Sequence, residues 1–281
     1  GLIPYMALNS IIVLNMSCVW EGLIDHKWTD SELLTLRDEL ASFHPAAHWS
    51  DMLACERQWD NGYLDASTHA SLTIRSELLL GSLLPLGSMH GVQKALTSAT
   101  GIFWTEGLVR DNQLFTNRWY DAGEKLITPD GRWHPGMAAL ERSLQQTSPL
   151  DRLHYSFGYI ACPGLSRAGC RVAVTEACLR EAEIAIALER YRRKQSNLPD
   201  SLAALIPNYL AAIALDPLGQ PVKYQRESAD AYNLTSLGNN GISNETQVED
   251  VWSCEPKNKG RNLVVWHGLA PETTNARTAS R

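Results

Sequence analysis

His44 and His48, four residues apart and followed by Asp51 and Glu56, are the first residues whose types and spacing can do chemistry. On a helix this spacing brings both imidazoles to one face, as a shared metal ion requires. Pro45 makes His44 a helix-start residue, where solvated or capping histidines are commoner than ligands. Gly164-Leu165-Ser166-Arg167-Ala168-Gly169 sets a serine between glycines, but the run is one residue too long for a G-x-S-x-G elbow. The strand-to-helix pattern that exposes such a serine is also missing. Trp104, Glu106, Arg110, Trp119, Tyr120 and Trp133 make the middle of the chain aromatic and charged, which suits a binding cleft and equally suits core and rim packing. No H-E-x-x-H, Walker loop or G-x-G-x-x-G occurs, so the zincin, nucleotide and Rossmann readings fall away.

The chain that must position these groups has 281 residues, 44% hydrophobic and 20% charged, an ordinary globular composition. At this length a folded chain buries about 75% of its unfolded surface, so neither disulfides nor a metal is needed to hold a core. With 25 basic against 31 acidic residues, net charge −6 and no basic run, a nucleic-acid partner is not expected. The six cysteines, Cys18, Cys55, Cys162, Cys170, Cys178 and Cys254, contain no C-x-x-C pair. Cys162 and Cys170 bracket a turn-rich run and can be bridged, whereas Cys170 and Cys178 lie too far apart on a helix to bond. The opening stretch is apolar but interrupted by Pro4, Asn9, Ser10, Asn15 and Ser17, so no membrane span is expected, and no basic region marks an export signal.

Hydrophobic periodicity predicts a buried first helix over about residues 5 to 24. A second is predicted to start at the capping box Thr29-Asp30-Ser31-Glu32, and a third to run from Pro45 to about Asp60, stopping before Asn61-Gly62. From 63 to 150 the signal weakens to apolar clusters such as Leu78-Leu79-Leu80, a turn at Pro129-Asp130-Gly131 and a short helix at 137–146, and 149–169 reads as loop. The clearest helix runs from Cys170 to Lys194, with Val174, Ala177, Ile184, Leu188 and Tyr191 at helical spacing and cationic residues in its last turn. After a short helix from Asp200 to about Ile206, short strands are predicted at 222–225, 232–235 and 263–266. The fold class expected is α+β, with a helical region over 1–165, a long helix on a small antiparallel sheet over 166–268, and a mobile tail over 269–281.

The C-terminal third also carries ordered motifs. Ala187-Leu188-Glu189-Arg190-Tyr191-Arg192 closes the long helix, and Leu198-Pro199-Asp200-Ser201-Leu202 follows. Then come Asp216-Pro217-Leu218-Gly219-Gln220-Pro221-Val222-Lys223-Tyr224 and Tyr232-Asn233-Leu234-Thr235-Ser236-Leu237-Gly238-Asn239-Asn240-Gly241. This order resembles the globular part of the major pseudopilin of type II secretion systems and its relatives among type IV pilin-like proteins. The chain as a whole is similar to large bacterial proteins in which a helical region precedes such an ending. A pilin subunit carries an apolar helix directly ahead of its globular part; here about 165 residues of other sequence come first, which argues against assembly into a pilus.

The resemblance implies calcium held in the loop after Ser236, through Ser236, the backbone of Leu237, Asn240, and the acidic pair Glu249 and Asp250. Hard oxygen donors of this kind suit calcium, although Asn240 stands where the family usually has aspartate, and without a metal the same loop closes as glycine-asparagine turns. The function expected is that of a non-enzymatic, pseudopilin-like structural or binding protein that meets protein partners through its C-terminal sheet. The alternative is a calcium-dependent hydrolase of small esters or lactones, which would take a small-molecule ligand in a pocket between helical region and sheet. A periplasmic or cell-envelope location follows only if the resemblance extends that far.

Overall fold

The computed structural model describes residues 1–80, 100–132, 134, 148–161, 165–217, 219–229, 231–236 and 264–268. At a coarse level it is α+β, mostly helical with one small antiparallel sheet. The chain forms two compact units, and they do not follow sequence order. The unit that holds the C-terminal part, Cys170–Arg281, also takes Pro4–His48 and Thr128–Trp133, while the other is built from Gly1–Ile3, Trp49–Ile127 and His134–Gly169. The first two helices belong to the same unit as the C-terminal part.

In that unit α1 (Leu2–Ile24) is one continuous helix, as predicted over about residues 5 to 24, and it begins earlier. Its polar residues bond locally: Asn9 Nδ2, Ser10 Oγ and Asn15 Nδ2 donate to the carbonyls of Tyr5, Met6 and Ile11 at 2.8, 2.9 and 2.8 Å, four residues back on the same helix. His26, at φ 53°, ends it, with its amide on Leu23 O and that of Lys27 on Gly22 O. The α2 helix (Asp30–Ala41) starts as predicted: Glu32 N donates to Thr29 Oγ1 at 3.3 Å while Thr29 N donates to Glu32 Oε2 at 2.7 Å. Leu33 and Leu40 turn its apolar stripe inward.

The helix α8, Leu165–Gln195, is the spine of this unit, longer at both ends than predicted. Ile184, Leu188 and Ala182 are fully buried and share one core with Ile12, Met16, Val19 and Leu23 of α1, Leu33 of α2, and Leu234 of the sheet. The partly buried Tyr191 and Tyr224 pack against that core. Strands β1 (Lys223–Arg226), β2 (Tyr232–Ser236) and β3 (Val264–Gly268) pair antiparallel in the order β1-β2-β3. In register Lys223 faces Thr235 and Gln225 faces Asn233, while Tyr224 opposes Leu234. The alternation of exposed and less exposed residues on β1 matches buried Tyr232, Leu234 and Ser236 on β2, so one face is polar and the other meets the core.

The other unit contains α3 (Trp49–Ser67), α4 (Leu72–Leu80), α5 (Glu106–Gly123), α6 (Pro149–His154) and α7 (Ser156–Ala161), with Leu64, Leu78, Leu79, Trp104, Val109 and Phe157 as its core. Two expectations are corrected here. The turn dipeptide Asn61-Gly62 lies inside α3, because Asn61 Nδ2 is held by Asn117 Oδ1 of α5 at 3.0 Å and its carbonyl takes Gln113 Nε2 at 3.1 Å. The segment 149–169 is largely helical rather than loop: Ser148 caps α6, accepting from Asp151 N at 3.1 Å, and Pro149 sits in the tolerated first turn. The proposed helix at 137–146 and the tail lie outside the described residues.

Candidate functional site in the C-terminal unit

Each buried acid on α8 ties a different part of the unit to the spine. Glu176 Oε1 accepts Ala46 N at 2.8 Å, at the start of the 3-10 turn Pro45–His48. Glu189 accepts both Arg192 Nε and Nη2 at 2.8 Å, and its Oε2 meets His26 Nδ1 at 3.1 Å. Arg180, one turn along from Glu176, donates to Leu215 O at 2.7 Å and Asp130 O at 2.6 Å, so the turns at 128–132 and 215–221 are both fastened to it. Gly131 is required at the first of these: at φ 77° a Cβ there would come within 2.5 Å of the Arg180 guanidinium.

Glu181 is the unusual member. It is 0% exposed, and Ser236 Oγ at the end of β2 donates to its Oε1 at 2.6 Å. Its Oε2 has no hydrogen-bond partner among the described residues. Burial raises its pKa to about 8; the Ser236 hydroxyl and backbone oppose that shift, and the nearby Asp216 charge reinforces it. At neutral pH the carboxyl therefore mostly keeps its proton. Asp216, also 0% exposed, opens the Asp-Pro turn: its Oδ1 accepts Gln220 N at 2.8 Å, and Gly219 at φ 79° lets the chain reverse. Two carboxyl groups and a serine hydroxyl thus meet in the interior where helix, turn and strand join.

Of the calcium ligands implied by resemblance, Ser236 is described and its hydroxyl is turned inward onto Glu181. Leu237, Asn240, Glu249 and Asp250 lie outside the described residues. Oxygen donors of this kind suit a hard cation, and the one described beside Ser236 with no hydrogen-bond partner is Glu181 Oε2. Among the described residues no group of three His, Cys, Asp or Glu side chains is arranged to hold a metal. His44 and His48 are both exposed, and the backbone from Pro45 to His48 is 3-10 helix, whose three residues per turn take positions four apart off a common face.

Ser166 lies in the first turn of α8 rather than on an elbow. Trp104 and Trp119 are packing residues, nearly fully buried, with Trp104 Nε1 donating to Ser67 Oγ at 2.8 Å. Cys18, Cys55 and Cys178 are free thiols, and a Cys162–Cys170 bridge lies outside the described residues. Sequence reasoning passed over Glu181, yet a signal was there. It stands four residues after Ala177, three before Ile184 and seven before Leu188, on the apolar stripe itself.

No family model, curated protein or solved structure matches this chain.

Proposed function

We propose that the C-terminal unit is a pseudopilin-like binding module, non-enzymatic, whose segment after Ser236 is ordered by calcium and whose sheet offers its polar face to a protein partner. The observation that supports the reading is the buried junction of Glu181, Asp216 and Ser236, with one carboxyl oxygen of Glu181 unpaired among the described residues beside Ser236. In this reading Ser236 and Glu181 fix the start of the segment to the spine, and Leu237, Asn240, Glu249 and Asp250 supply the remaining oxygens. Calcium contributes charge neutralisation and a fixed loop geometry. The polar face of the sheet, with Lys223 and Gln225 exposed, is the surface offered, and β1 lies at its edge with one side unpaired among the described strands.

Turnover of a panel of small esters and lactones, measured with and without chelator, tests the non-enzymatic reading. Rates at the uncatalysed background in both conditions are expected. Calcium-dependent hydrolysis well above background would overturn it in favour of a metal-assisted hydrolase.

A further inference from the structure

The length of its uncharged run sets α1 apart from the other described helices. From Leu2 to Trp20 it holds no Asp, Glu, Lys, Arg or His, and the first charges, Glu21, Asp25 and Lys27, appear only at its end. Its 23 residues span about 34 Å, and by length and composition it is the one described helix able to cross a membrane. The expectation that polar interruptions rule this out is revised on length and composition alone, and three of the five, Asn9, Ser10 and Asn15, donate to carbonyls of the same helix.

One stripe of α1, Ile12, Met16, Val19 and Leu23, is committed to the core of its unit. A second, through Ala7, Leu8, Ile11, Leu14 and Cys18, is exposed, and only 24% of the helix's most apolar window is buried. Asn15, which borders that stripe, is exposed to solvent yet spends its amide donor on Ile11 O at 2.8 Å. Such a bond lowers the cost of taking the side chain out of water, although Asn9 makes the same bond within the protein. A protein interface would be rimmed by polar and charged groups, and this stretch of helix carries no charged group.

We propose that α1 docks on a lipid bilayer through the Ala7, Leu8, Ile11 and Leu14 stripe, lying along the membrane while its opposite stripe stays in the protein core. Because no charge takes part, neutral lipid suffices and salt does not weaken the attachment. The occupant is the acyl region rather than the headgroup layer.

The full chain floated with vesicles of pure phosphatidylcholine is the test. Recovery in the lipid fraction is expected at both about 0.1 and 1 M sodium chloride, with release by alkaline carbonate. Leu8→Asp combined with Ile11→Asp, at two exposed sites, is expected to cut the floated fraction at least about tenfold with unchanged circular dichroism. Leu114→Asp, at an exposed leucine of α5, is expected to float as the parent does. Several results overturn the proposal: parent protein that stays in the aqueous fraction, release by salt, or a double variant that floats undiminished. Resistance to carbonate would show that the helix crosses the bilayer instead, and a dimer that forms without lipid and ignores vesicles would show that a second copy covers the stripe.

Discussion

Glu181 occupies a position on α8 where an apolar side chain would continue the stripe, and its burial makes it sensitive to pH near neutrality. The sign follows from the direction of its shift. A carboxyl moved up from 4.5 to about 8 binds its proton more tightly in the folded than in the unfolded chain, so its contribution is full below about pH 4.5 and is lost as pH rises toward 8. Within that window the loss approaches about 1.4 kcal/mol per pH unit. Glu181→Gln keeps an oxygen for Ser236 and removes the titration. Urea unfolding of parent and variant from pH 5 to pH 8.5 should show the parent losing stability relative to the variant as pH rises; parallel curves would mean that Glu181 titrates normally. His44 and His48 show the opposite case, a pair whose spacing looks like chemistry but whose backbone, tightened after Pro45, denies them a shared face.

At the scale of elements, α8 holds its unit together because it is buried on nearly every side between residues 172 and 189, and Leu188 at 0% exposure is its best single reporter. Leu188→Ala should lower the unfolding free energy by about 2 to 5 kcal/mol, read from the shift of the denaturant midpoint. An unchanged midpoint would contradict the packing. This helix, the Thr29 cap and the three strands were legible in the sequence because each rests on local signals: apolar periodicity, a reciprocal cap, alternation between turns. What was not legible depended on partners distant in sequence. Asn61-Gly62 is turn chemistry until Asn117 and Gln113 of α5 hold it in a helix. The place of Glu181 on the apolar stripe was legible, but its partner Ser236, 55 residues away, was not.

At the scale of the whole molecule, the C-terminal unit is assembled from three stretches, Pro4–His48, Thr128–Trp133 and Cys170–Arg281, so its core is completed by residues far in sequence from α8 and the sheet. In that core α1 and α2 supply apolar stripes that pack with α8, and nothing in their own composition names their partner. The central claim is that this unit is a calcium-ordered binding module, and the melting temperature of chelator-treated protein as calcium is returned tests it most directly. A single site filled at 100 times its dissociation constant stabilises the fold by about 2.7 kcal/mol, so a clear rise in melting temperature is expected. Asp250→Ala should abolish that rise more completely than Asn240→Ala, since it removes a charge as well as a ligand. A melting curve that calcium leaves unmoved would contradict the account and return the segment after Ser236 to turns closed by their own hydrogen bonds.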